Sequence, residues 1–187
     1  MAELVHNACS GAGIVKATIE SLNQMQTDGV IAHYAIGGAV GATLYLEPAA
    51  TLDVDVFVIL PAAPSGLLVS LSPIYEYLQS RGGTVQDEHI VLGGWPVQFL
   101  VPSSELEREA VASSVPVTIE SVRTWVMLAE HLVAIALSTG RSKDHIRILQ
   151  FMEQGTVDQA LLHSILERHG LTAKWAQFER KYLEGHP

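Results

Sequence analysis

Two carboxylates stand two residues apart in a run of β-branched residues, TLDVDVFVIL over 51–60. In an extended chain residues i and i+2 point to one face, so Asp53 and Asp55 project side by side, their Cα atoms about 6.5–7 Å apart. Like charges this close raise each other's pKa, and burial in a sheet adds to the cost. A divalent cation between them offsets that cost, with phosphate oxygens completing its coordination shell. The rival account is an edge strand that turns both acids to solvent and Val54, Val56 and Val58 inward. Gly37-Gly38, fifteen residues before Asp53, shifts the balance. Glycine between a strand and a helix lets backbone N–H groups and a helix N-terminus approach a phosphate closely. Alone, that pair reads equally as a tight turn; together the two features point to a metal–phosphate site.

The elements that must position these residues follow from periodicity. Apolar residues at helical spacing over 14–27 end at Asp28-Gly29, and a short strand is expected over 30–36. Gly37-Gly38 opens a small-residue helix through about Leu46, stopped by Pro48, and residues 51–60 read as a central strand. A helix is expected over 67–80, then a hairpin over 89–101 around Gly93-Gly94. Ser104 with Glu107 forms a capping-box pattern for a short helix. After PVTIE the chain reads as helical over 121–138, 142–153, 157–169 and 172–184, punctuated by Gly140, Gly155 and Gly170. The expected class is α+β, a mixed β-sheet flanked by helices, with residues 1–120 as the core and 121–187 as a helical segment packed on it in one folding unit.

Composition bounds the function. The 187 residues suffice for one domain with a sizeable core. The net charge of −9 argues against broad passive binding to nucleic acid. Its distribution is uneven: residues 1–140 hold Lys16, Arg81, Arg108 and Arg123 against fourteen acids, whereas 141–187 hold seven bases against six acids. A phosphate is therefore expected to meet the C-terminal part. No apolar run reaches the roughly 18 residues of a membrane span. The N-terminus carries an acid where a secretory signal has its positive charge, and the single Cys9 cannot form an internal disulfide, so a reducing cytoplasm is expected.

The stretch IGGAVGATLYLEPAATLDVDVFV resembles the active-site signature of the polymerase β-type nucleotidyltransferase superfamily: hydrophobic-Gly-Gly, a short helix, then D-x-D on the next strand. EHLVAIALSTGRSKDHIRILQFM, 130–152, resembles the second motif of the abortive-infection (AbiEii-like) nucleotidyltransferase toxins, a helix followed by Arg-x-Lys-Asp. Together the matches frame residues 30–153. The resemblance implies that Gly37 and Gly38 hold nucleotide phosphates through backbone N–H groups and that Asp53 and Asp55 bind Mg2+ or Mn2+. It further implies that Thr51 lies near the phosphates, that Lys143 contacts the triphosphate beside Arg141, and that Asp144 orients it or supports the metal site. The implied reaction is attack of an acceptor hydroxyl on the α-phosphate of a nucleoside triphosphate. RNA, protein or a small molecule is the implied acceptor, and an antitoxin an implied partner.

Three departures bear on turnover. The superfamily often carries a third carboxylate on a later strand, and the aligned position here is Gln98, which cannot take a proton at neutral pH. A lysine usual in the helix before Arg-x-Lys-Asp is Ala136, and Ala49 and Ala50 replace a basic residue before the Thr-x-Asp-x-Asp segment. The alternative is thus a non-catalytic relative that binds a nucleotide or a partner. Asp87, Glu88 and Glu105 could replace the missing acid, although solvated acids beside a hairpin or helix start are the simpler account. The eight histidines show no zinc spacing. His131, His145, Trp95, Trp125 and Trp175 are expected in packing roles, and Cys9 to Gly13 as a flexible leader. Doubly wound glycosyltransferases and haloacid-dehalogenase-type phosphatases also use D-x-D, but neither accounts for Gly37-Gly38.

Overall fold

The computed structural model describes residues 3–46, 53–61, 70–92 and 94–183, with the backbone alone for residues 3–14. Among the described residues seven strands form one mixed sheet. They are β1 (His33–Ile36), β2 (Val54–Ile59), β3 (Thr84–Gln86), β4 (His89–Leu92), β5 (Trp95–Leu100), β6 (Val115–Ile119) and β7 (Val122–Val126). The helices are α1 (Glu3–Thr27), α2 (Gly38–Ala42), α3 (Ser72–Gln79), α4 (Glu105–Ala112), α5 (Ala129–Thr139), α6 (Ser142–Gln154), α7 (Gln159–Arg168) and α8 (Thr172–Phe178), the last continuing as a π-helical turn over Glu179–Leu183. The sheet runs β3-β4-β5-β2-β1-β7-β6. β2 is parallel to β5 and antiparallel to β1, so the strand that carries Asp55 is interior. The edge-strand account of the two acids is thereby removed.

Alternation along β2 divides the core into two layers. Val54, Val56 and Val58 face α1 and α3, packing with Leu22, Met25, Ile74 and Leu78. Phe57 faces the other layer, where Leu106, Val133, Ile148, Phe151, Leu162 and Trp175 bring α4 to α8 together. Asp55, two residues before Phe57, turns toward that second, helix-rich face.

The expected helices over 142–153 and 157–169 coincide with α6 and α7 within two residues. The Ser104 cap forms as the pattern predicts: Ser104 Oγ accepts from the Glu107 N–H at 3.2 Å, and Glu107 Oε2 accepts from the Ser104 N–H at 3.2 Å. Two expectations change. The first helix begins at Glu3 rather than near 14; Gly11 and Gly13, which weaken a helix by about 1 kcal/mol each, lie inside it and make the sequence pattern point to a later start. The helix expected over 121–138 is a strand followed by a helix. Val122, Thr124 and Val126 alternate with Arg123 and Trp125, and β7 pairs with both β6 and β1. Residues 122–126 therefore belong to the sheet, and the helical run begins at Ala129. Among the described residues no helix is long and apolar enough to cross a membrane.

Candidate functional site

Between the C-terminal helices and the sheet lies a cleft of about 790 Å³, within the range of small-molecule sites. Gly38, Asp53, Asp55, Gln98, Arg141, Lys143, Asp144 and Arg147 line it. Residues far apart in sequence converge here because β2 and β5 run parallel and α5–α6 folds back over their face. Asp55 sits opposite Gln98 in the β2–β5 ladder. Asp53 immediately precedes β2. Thr51 lies outside the described residues.

The turn between β1 and α2 is built around Asp55. The Gly37 N–H, expected to meet a phosphate, donates instead to the Asp55 carbonyl at 2.9 Å. Gly38 has φ of +56°, and any β-carbon on it would overlap the Asp55 carboxylate. At Gly37 a β-carbon would meet the Phe57 ring at 2.9 Å. Both glycines therefore permit close approach, Gly37 to the sheet and Gly38 to the carboxylate. The first-turn N–H groups of α2 have no intrahelical acceptor, and Gly38 and Ala39 both line the cleft.

Electrostatics divides the cleft into two walls. On the sheet side, burial, and then the neighbouring charge of Asp53, raise the Asp55 carboxyl above its ordinary value. Arg147, Lys143 and Arg141 pull it back down from the helix side. Asp144 organises that basic wall. Its carboxylate is 1% exposed and lies 2.7 Å from Arg141 Nε and 3.6 Å from Arg147 Nη1. It also accepts the Arg141 backbone N–H at 3.3 Å, so one buried acid caps α6 and holds two guanidinium groups. That pairing raises the Arg141 pKa. Lys143 is exposed and has no ion-pair partner among the described residues.

A metal ion would find two ready oxygen donors at Asp53 and Asp55, and the raised Asp55 pKa marks a carboxylate that a cation would stabilise. Among the described residues no three His, Cys, Asp or Glu side chains are gathered for a metal. Two carboxylates with phosphate oxygens and water are nonetheless a common magnesium arrangement. The residues present fit such an ion held jointly with a phosphate ligand.

Several other expectations can be placed. Gln98 Nε2 donates to Glu88 Oε2 at 3.3 Å, so Glu88 approaches the third-acid position without lining the cleft. Ala136 does line it, where a lysine would add charge. His131 is buried beside Glu109, and His145 packs against the Phe178 and Tyr182 rings, so both serve packing. Trp175 stacks on Phe178 in the core. One neighbour was not anticipated: His89, whose Nε2 lies 3.5 Å from Asp53 Oδ2. Pairing the hairpin strands on paper, with residue 90 opposite 97, would have brought it to this row.

A solved structure of similar architecture is described as an antigenic nucleotidyltransferase-like protein from Paracoccidioides brasiliensis, with a TM-score of 0.60 over 92% of this chain and 90% of that one. The fold is nucleotidyltransferase-like. Sequence identity to that protein is 15%, so the likeness concerns the fold. No protein-family model matches the chain, and no curated protein matches it.

Proposed function

We propose that the cleft binds a nucleoside triphosphate together with Mg2+ or Mn2+ and that the chain transfers a nucleoside monophosphate to a hydroxyl acceptor. The observation that carries this reading is the pair of carboxylates at the start of an interior strand, facing Arg141, Lys143 and Arg147 across the cleft. Asp53 and Asp55 would hold the metal, which when bound neutralises phosphate charge and favours departure of pyrophosphate. The chain's own groups do the positioning. Lys143, and the two arginines that Asp144 fixes, draw the triphosphate to the helix side. Gly38 and Ala39 offer backbone N–H groups, and Thr51 adds a hydroxyl on the resemblance alone. In the transfer step the acceptor oxygen bonds to the α-phosphorus as the bond to the pyrophosphate oxygen breaks, and the hydroxyl proton passes to water or to the departing pyrophosphate.

The acceptor class is RNA, protein or a small molecule. With a net charge of −9, an RNA acceptor would follow the local basic path of Arg141, Lys143 and Arg147. The Arg-x-Lys-Asp segment supports kinship with the abortive-infection toxin branch, and with it an antitoxin partner.

A second reading has its own support: Gln98 cannot accept the hydroxyl proton, and its amide is engaged by Glu88. This is a nucleotide-binding relative without turnover. Incubation with α-labelled triphosphates, magnesium and cell extract separates the two. Label transferred to a macromolecule or metabolite, and lost in Asp53→Asn, supports the enzyme. Nucleotide binding without transfer supports the second reading, and neither binding nor transfer rejects both.

A further inference from the structure

The row of side chains that begins at Asp55 continues beyond Gln98. Asp55 pairs with Gln98, and one position beyond the Ile90–Val97 pair of the β4–β5 ladder, His89 stands beside Gln98. Ile90 and Leu92 are buried in the layer under α1 and α3, so by alternation His89 turns to the same face as Asp55. His89 Nε2 lies 3.5 Å from Asp53 Oδ2. The two side chains remain accessible, 29% and 44% exposed.

We propose, resting on the metal-dependent reading above, that His89 is a nitrogen ligand of the ion held by Asp53, making a mixed nitrogen–oxygen site that favours Mn2+ over Mg2+. Cis ligands of an octahedral ion with bonds of about 2.1 Å lie roughly 3.0 Å apart. The 3.5 Å between His89 Nε2 and Asp53 Oδ2 closes to that separation by a small side-chain rotation, without moving the strands. Neutral imidazole offers the Nε2 lone pair and keeps its proton on Nδ1. Mn2+ shares the preference of Mg2+ for oxygen ligands, but as a larger transition ion it accepts an imidazole nitrogen beside them, whereas Mg2+ demands near-ideal octahedral geometry and sheds water reluctantly. Asp55 and phosphate oxygens take the remaining positions, so the site is completed only when a phosphate ligand arrives.

The test is pulsed electron paramagnetic resonance of Mn2+ bound to the full chain with tripolyphosphate, a phosphate ligand that carries no nitrogen. The expected result is a 14N modulation from a coordinated imidazole, absent in His89→Gln. Mn2+ affinity should fall about 10–100-fold in His89→Gln and His89→Ala, with Mg2+ affinity changed by less than about twofold. Mn2+ that binds without 14N modulation overturns the histidine ligand and leaves the nucleotide reading intact. Mn2+ that does not bind at all overturns both, and equal losses for Mn2+ and Mg2+ overturn the selectivity.

Discussion

Gly38 and Asp55 share one space: the glycine holds φ of +56° and the carboxylate occupies the volume that a β-carbon at residue 38 would fill. Backbone conformation and steric room both demand glycine here. Gly38→Ala is expected to push the Asp55 carboxylate aside and cost about 1–3 kcal/mol of stability. Urea unfolding measures that cost. Metal-dependent nucleotide binding should weaken further than the stability loss explains, since the displaced group is a proposed metal ligand.

Asp144 tests the basic wall separately. The carboxylate is buried and holds Arg141 and Arg147, so Asp144→Ala leaves two cations without their common partner and α6 without its cap. Because Arg141 and Arg147 keep access to water, the loss is expected at about 1–3 kcal/mol. Thermal unfolding should show a large drop, and a folded Asp144→Asn protein should bind triphosphate more weakly, because the arginines lose their fixed orientation.

Asp55 should oppose stability in the absence of metal. Its pKa is higher in the folded chain than the ordinary 3.8, so the folded state binds more protons across the interval between the two values. Stability is then highest below pH 3.8 with respect to this group and falls as pH rises through the folded pKa. At neutral pH with a chelator, Asp55→Asn is expected to raise stability by roughly 1 kcal/mol, about 2–4 °C in Tm for a chain of this size. The gain should shrink toward pH 4 and the mutant should lose stabilisation by magnesium nucleotide. A lower Tm in the chelated mutant would contradict the account of Asp55 as a carboxylate destabilised by burial and by the charge of Asp53.

Much of the site was legible because its signals are local. D-x-D on a β-branched run and Gly-Gly at a strand–helix junction describe neighbours in sequence, and the glycine caps set the ends of α5 and α6. What escaped depended on pairing. Glu120 and Ser121 take φ of 49° and 66°, the double left-handed geometry of a tight hairpin turn, without the Asn or Gly that announces one. The β6–β7 hairpin was therefore hidden, and Val122–Val126 merged with the helix behind it. Asp87, with φ of 53°, conceals the β3–β4 turn in the same way. His89 went unremarked because its relation to Asp53 crosses two strand pairings. Asp144, expected to orient the triphosphate or support the metal site, pairs with Arg141 and Arg147, a contact that depends on its burial.

Away from the cleft, Glu109 of α4 gathers Arg168, His169 at 2.7 Å and His131 at 3.3 Å. The hydrogen bond from Arg168, followed by those from His169 and His131, holds its carboxyl down at about 2. A depressed carboxyl contributes stability that is fully present above the ordinary 4.5 and is lost as pH falls toward the folded value. Burial keeps His131 below its ordinary value, so it adds loss in the same direction as pH falls below 6.5. Glu109→Gln should cost about 1–3 kcal/mol at pH 7, and its difference from the parent chain should narrow between pH 4.5 and 2. Urea unfolding at pH 7 and pH 3 measures the narrowing.

The most direct test of the central claim is calorimetric titration of the chain with each of the four ribonucleoside triphosphates, with magnesium and with chelator. Binding of at least one triphosphate is predicted with magnesium, lost with chelator, and lost in folded Asp53→Asn/Asp55→Asn protein. No heat from any triphosphate in the presence of magnesium, or binding that survives both chelator and the double substitution, would contradict it.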